Sequence, residues 1–243
     1  MDLLYWKTRA RQTEVLPTTK SFYKSFLYKM TVYAPGCRSI IYDNLEQHLQ
    51  WRTHNNGAQH YTYGVGSWYN TKMARYLQEA DVKQLKILQK IKLNESDLGV
   101  KVRIEEPYVD IYAYSENKLK ELAEWFNDPA CVKKVYGPEN EISAGLLSEN
   151  KILRKRKPNF RYKITLKESK FSTATRTAVL NYLQSLGTEV KLPRSIEQQL
   201  TKKHEWIWGC YFYADDSRIV TMLQLIDPNI VREVSELVQI DTK

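Results

Sequence analysis

Read for periodicity, this sequence runs twice through the same order of elements, and that repetition narrows the folds open to it more than any single motif. The first pass opens at "FLYKMTVYAP" (26–35), whose residues alternate as a strand does. "CRSIIYDNLEQHLQWR" follows, with Ile41, Leu45, His48 and Leu49 on one helical face. Next come "VKVRIEEPYVDIYAYS" (100–115), two strands joined at Glu106-Pro107, and the helix "ENKLKELAEWF", with Ser115 placed to cap it. The second pass opens at the strand "FRYKITLK" (160–167) and continues through the helix "TATRTAVLNYLQSLG", terminated by Gly187. "WIWGCYFYADDSRIVTMLQLI" then reads as two strands joined at Asp215-Asp216. The pass closes on "NIVREVSELVQI", read as a helix because Asp227-Pro228 supplies an N-cap and a proline at the first helical position.

Each half therefore reads strand, helix, insert, strand, strand, helix. That order suits an α+β protein of two tandem ferredoxin-like halves, each an antiparallel sheet with helices on one face. The expected division is 1–150 and 151–243, the second half being entered through a basic linker. The repeat is one of element order, not of residue identity. The first half also carries an insert at 51–93, a Gly-, Asn- and Tyr-rich loop followed by an amphipathic helix presenting Val82, Leu85, Leu88 and Ile91.

Charge is distributed unevenly over this frame. Residues 1–76 carry +6, residues 77–150 carry −4 and residues 151–243 carry +7, for a total of +9. "KILRKRKPNFRYKITLKESKF" (151–171) holds nine cations against one Glu. Clustering of this kind suits a polyanion, because each neutralised phosphate releases condensed counterions. "RKRKP" (154–158) reads equally as a phosphate contact, an inter-domain linker or a nuclear address.

If helices cover one face of each sheet, alternation shows what the other face presents. In "FRYKITLK", Phe160, Tyr162, Ile164 and Leu166 point to the helices, leaving Arg161, Lys163 and Lys167 outside. In "VKVRI", Lys101 and Arg103 face out; in "YVDIYAY", Tyr108, Tyr112 and Tyr114 do so beside Asp110. Lys29 and Tyr33 fall on the more polar face of their strand, and Tyr211 and Tyr213 alternate with Cys210 and Phe212. Tyrosines interleaved with cations form a stacking platform for unpaired bases. The expected phosphate contacts are Lys29, Lys101, Arg103, Arg154, Lys155, Arg156, Lys157, Arg161, Lys163 and Lys167. The expected stacking residues are Tyr33, Tyr112, Tyr114, Tyr211 and Tyr213.

Two stretches carry candidate chemistry. Tyr213-Ala214-Asp215-Asp216 resembles the YADD of reverse transcriptases, whose palm domains hold catalytic metals at a hairpin tip. That resemblance implies a partner carboxylate on a neighbouring strand, for which Asp110 is the candidate. Only 27 residues follow Asp216, which leaves no thumb, and the intervening Gly motif is at best "ISAGLL". Aspartate is also a common turn residue, and these two fall where Glu105-Glu106-Pro107 falls in the first half, so the turn is the reading taken. The second stretch is the loop in which His54 and His60 flank "NNGAQ", near Tyr61, Tyr63 and Lys72. In length and expected architecture the chain resembles tandem ferredoxin-like proteins that cut CRISPR repeat RNA. That resemblance implies metal-free acid–base cleavage by such histidines. The glycine-rich segment those proteins carry near the C-terminus has no counterpart in "EVKLPRSIEQQL".

No P-loop, dinucleotide, hydrolase or zincin motif occurs. "GVGSWYN" (64–70) is a weak phosphate-cradle candidate. Cys37, Cys131 and Cys210 are widely spaced and odd in number, as expected of free thiols in a reducing compartment. With no apolar run near 18 residues and no signal-peptide core, the expected location is intracellular, cytoplasmic with a nuclear address open. The expectation is a non-catalytic binder of nucleic acid, single strand before duplex, with no cofactor, no metal and no membrane. The alternatives are a structural or assembly protein binding an acidic partner or itself, and an enzyme, either nuclease or polymerase-palm-like.

Overall fold

The computed structural model of the chain describes residues 1–49, 60–61, 75–76, 79–202 and 206–240. Most of the insert's loop, including His54, Tyr63, Lys72 and "GVGSWYN", lies outside the described residues. The chain separates into two compact units, Met1–Ala144 and Gly145–Lys243.

The first unit runs α1 (Leu3–Arg9), β1 (Glu14–Pro17), β2 (Tyr28–Tyr33), a 3₁₀ turn at Cys37–Ile41 and α2 (45–49). The short pair β3 (His60–Tyr61) and β4 (Arg75–Tyr76) follows, then α3 (Glu79–Leu93), α4 (Glu95–Leu98), β5 (Val100–Glu105) and β6 (Tyr108–Ala113). It ends with α5 (Glu116–Glu124), β7 (Val132–Gly137) and α6 (Glu141–Ser148), within which the boundary falls. The sheet order is β1-β7-β2-β6-β5, with β1 parallel to β7 and the remaining pairs antiparallel. Alternation in the strands drives one face inward: Val100 and Val102 are buried while Lys101 and Arg103 are exposed. Met30, Val32, Val109, Ile111 and Val135 line that inner face against Leu85, Leu88 and Ile91 of α3 and Leu119 and Leu122 of α5. Ser115 caps α5 by accepting from the Lys118 N–H, as its position in the sequence requires.

The second unit runs β8 (Ile152–Arg154), β9 (Tyr162–Leu166), β10 (Ser169–Lys170), α7 (Thr173–Ser185) and β11 (Val190–Lys191). It continues through α8 (Arg194–Thr201), β12 (Trp206–Ile207), β13 (Tyr211–Ala214), α9 (Ile219–Ile226) and β14 (Val231–Gln239). The sheet order is β11-β13-β9-β14-β8, again with one parallel edge pair, β8 on β14. Ile164, Leu166, Phe212 and Ala214 form the inner face, covered by Val179 and Leu183 of α7, Ile196 of α8 and Ile219 and Leu223 of α9. The protein is thus α+β, two mixed five-stranded sheets each with its own helices and core.

Two expected elements are exchanged at the end of the chain. Residues 219–226, read as the second strand of a hairpin at Asp215-Asp216, form α9, and 231–239, read as the last helix, form β14. The expected cap at Asp227-Pro228 is instead a turn, in which the Asp227 carboxylate accepts from the Asn229 N–H at 2.9 Å and the Asp227 carbonyl from the Ile230 N–H at 3.0 Å. Register shifts between Val231 and Glu233, so Val231 and Val234 both face inward, opposite Leu166 and Ile164. The strand that follows the turn carries one extra residue at this bulge. Asp215 and Asp216 therefore sit on a strand-to-helix connection, not a hairpin tip. The strand β7 closes the first sheet in the same way, beyond the helix at which the sequence reading stopped.

The buried Phe212 ring fills the centre of the second core. Phe212→Ala is expected to lower stability by about 3–5 kcal/mol in urea denaturation. A loss below about 1 kcal/mol would contradict the assignment of this residue to the core.

Candidate nucleic-acid interface

Hydrogen-bond register aligns the two sheets residue by residue. In the first unit Tyr28, Ala113 and Val100 lie in one cross-strand row and Lys29, Tyr112 and Lys101 in the next. In the second, the corresponding rows are Tyr162, Ala214 and Val190, then Lys163, Tyr213 and Lys191. All six identities are the same. The repeat is therefore one of residues as well as of element order, which separate reading of each strand did not reveal. The signal was present in "YKMTV" against "YKITL" and in the dipeptide Val-Lys before each edge. Alternation turns the Lys-Tyr-Lys row of each unit away from its helices.

What lies over that row differs between the units. In the first, residues 18–27 join β1 to β2 and fold across the open face, pinned by a bridge between Phe22 and Phe26. The rings of Phe22 and Tyr23 lie 5.4 and 4.9 Å from that of Tyr112, and Phe26 lies 4.5 Å from Tyr114. Tyr112, expected to stack on a base, is consequently only 4% exposed. The Lys101 ammonium stands 4.0 Å from the Tyr23 ring centroid, and Arg103 pairs with Glu105 near the Tyr23 side chain. Asp110 receives hydrogen bonds from Thr31 at 2.6 Å and Tyr112 at 3.2 Å, and pairs with Lys29 at 3.3 Å. This carboxylate is the internal counter-ion of the face. Tyr33 is half-buried against Tyr108, and Tyr114 is 58% exposed.

In the second unit the equivalent connection, residues 155–161 between β8 and β9, is shorter and basic. It leaves a cavity of about 320 Å³ lined by Arg154, Arg156, Lys157, Pro158, Asn159, Phe160, Lys191, Tyr213 and Leu237. Phe160, expected to point toward the helices, instead lies nearly parallel to Tyr213 at 6.5 Å, because it belongs to the connection and not to β9. Arg154, which lies near the Tyr213 side chain, Arg156, Lys157 and Lys191 have no acidic partner among the described residues. Lys155 and Lys167 are exposed; Arg161 pairs with Glu236 at 3.0 Å, and Lys163 stands 4.2 Å from the Tyr211 centroid. Lys191 and Phe160 were not among the residues expected at an interface. Lys191 ends a two-residue strand too short to show alternation.

Asp110 belongs to the first unit and Asp215 and Asp216 to the second. Asp215 accepts from the Arg161 N–H at 3.0 Å, and Asp216 pairs with Arg218 at 2.6 Å ahead of α9. Among the described residues no three His, Cys, Asp or Glu side chains are grouped to hold a metal. His54 lies outside the described residues, and of His60 only the backbone in β3 is described. A second cleft, of about 450 Å³, is bordered by Glu79, Asp81, Lys83 and Asp128, one cation among three carboxylates. Among the described residues no helix is long and apolar enough to cross a membrane. No protein-family model matches the chain, and no curated protein is similar to it in sequence.

Burial, then the neighbouring Asp110 charge, raises the Tyr112 phenol above its ordinary value of 10.0. Burial, then Tyr211, raises Tyr213, with Arg154 opposing. A phenol whose folded pKa is raised contributes its full stability below its unfolded pKa and loses it as pH climbs through the folded value. The urea midpoint is therefore expected to hold up to about pH 10 and fall above it, and Tyr112→Phe to lessen that fall. A midpoint falling equally in the variant would contradict the buried environment of Tyr112.

Proposed function

We propose that the protein binds single-stranded nucleic acid, RNA or DNA, without catalysing a reaction, and that it does so on the open sheet face of its second unit. The observation carrying this reading is the cavity in which Arg154, Arg156, Lys157 and Lys191 surround Phe160 and Tyr213. Cations with no carboxylate to neutralise them favour phosphate, and an accessible aromatic favours an unpaired base, worth about 1–3 kcal/mol per stacked base. On this reading Lys155, Arg161, Lys163, Lys167 and Tyr211 flank the strand's path. Lys29, Tyr33, Lys101, Arg103, Tyr112 and Tyr114 serve mainly the packing of the first unit's covered face.

Each unit is, in this reading, ferredoxin-like. Counted from β2 or β9, the four antiparallel strands stand in the order fourth, first, third, second, with helices on one face. The parallel edge strand is an addition to that plan. A second reading, an assembly protein with an acidic partner or a second copy of itself, is favoured by one feature, the exposure of Trp208 at 58% beside Trp206.

The test is fluorescence anisotropy with labelled single-stranded RNA, single-stranded DNA and duplex DNA across a salt series. Steeply salt-dependent binding that favours a single strand is expected. Replacing Arg154, Lys155, Arg156 and Lys157 together by Ala is expected to flatten the log–log salt slope by about 0.7 for each phosphate that the segment neutralises. An unaltered slope would remove this segment from the interface, and no binding at low salt would sink the reading.

A further inference from the structure

The duplicated row gives the second unit's cavity a template. In the first unit the row Lys29-Tyr112-Lys101 already holds an aromatic group, the ring of Tyr23. That ring stands edge-on to Tyr112, at 87°, with the Lys101 ammonium over it and Arg103 near its side chain. Tyr23 reaches this place on a connection of ten residues, 18–27, between Pro17 and Tyr28. The connection in the second unit has seven, 155–161, between Arg154 and Tyr162. Its one aromatic, Phe160, stacks on Tyr213 and leaves the space beside Lys191 empty. The row Lys163-Tyr213-Lys191 is thus the same arrangement without its internal ring.

We infer that this cavity takes one nucleotide of the bound strand, its base set against Tyr213 and Lys191 in the place that Tyr23 fills in the first unit, and its phosphate held by Arg154, Arg156 and Lys157. The inference rests on the single-strand reading above and adds the position of the base. Charge fits the assignment: three of the four cations lie on or next to the connection, where a backbone phosphate passes, and the fourth lies across Tyr213 from them. Size fits as well, since about 320 Å³ is at the small end of the roughly 300–1,000 Å³ usual for ligand clefts. The first unit is then a copy of the same site closed by its own chain, so among the described residues there is one such nucleotide site, not two.

Equivalent lysines make the test internal. Lys191→Ala and Lys101→Ala each remove one exposed cation from the same register position of the two sheets. The probes are an eight-nucleotide oligouridylate or oligothymidylate, whichever binds tighter, and a strand of equal length without bases. Lys191→Ala is expected to weaken oligonucleotide binding at least fivefold more than Lys101→Ala. Tyr213→Ala is expected to weaken it about tenfold while leaving binding of the abasic strand within twofold. Equal losses for the two lysine variants, or equal losses on the two strands for Tyr213→Ala, would overturn the inference while single-strand binding stands. If the unaltered protein binds neither strand at low salt, the functional reading itself fails.

Discussion

Each sheet buries one face under its own helices, and its opposite face is left to the short connection that precedes the first central strand. Burial of Met30, Ile111 and Val135 in one unit and of Ile164, Leu166 and Phe212 in the other fixes which residues turn outward. Because side chains alternate, register admits no compromise: a slip of one residue would bring Lys29, Tyr112 and Lys101 into the core. The Lys-Tyr-Lys row is therefore held in place by the packing behind it. Its chemistry is decided by what lies in front.

In the first unit that covering is aromatic and close, and Asp110 neutralises Lys29 beneath it. In the second it is short, basic and open, and Glu236 pairs with Arg161 while the cations lining the cavity have no such partner among the described residues. The same sheet thus yields a closed, self-packed face in one unit and a charged cavity in the other. The difference lies in three residues of connection length, in the composition of the segment and, within the strands, in Asp110, whose register counterpart in the second unit is Tyr211. The second arrangement gathers four cations beside Phe160 and Tyr213 in one cavity, which is why the proposed function rests there.

Much of this was legible in the sequence for a physical reason: period-two alternation and helix caps are local. The strands at Lys29, Lys101, Tyr112 and Lys163, the cap at Ser115 and the turn at Gly187 were all readable from their neighbours. So was the basic cluster from Arg154 to Lys157. What failed was nonlocal or irregular. Asp227-Pro228 serves a turn as readily as a helix cap, which disguised β14 as a helix, and the apolar run 219–226 could be told from a strand only by its packing. The coverage of Tyr112 depends on a connection some ninety residues away in sequence, and the displacement of Phe160 on where β9 begins. Lys191 was invisible because its strand has two residues.

The central claim is that the second unit's cavity, and not the first unit's covered face, receives a base. Photocrosslinking tests it directly: a single strand carrying 5-iodouridine is irradiated in the complex and the modified residues are located by mass spectrometry. The account predicts adducts on Tyr213 or Phe160. Adducts on Tyr23, Phe22 or Tyr114, with Tyr213 and Phe160 unmodified, would contradict it.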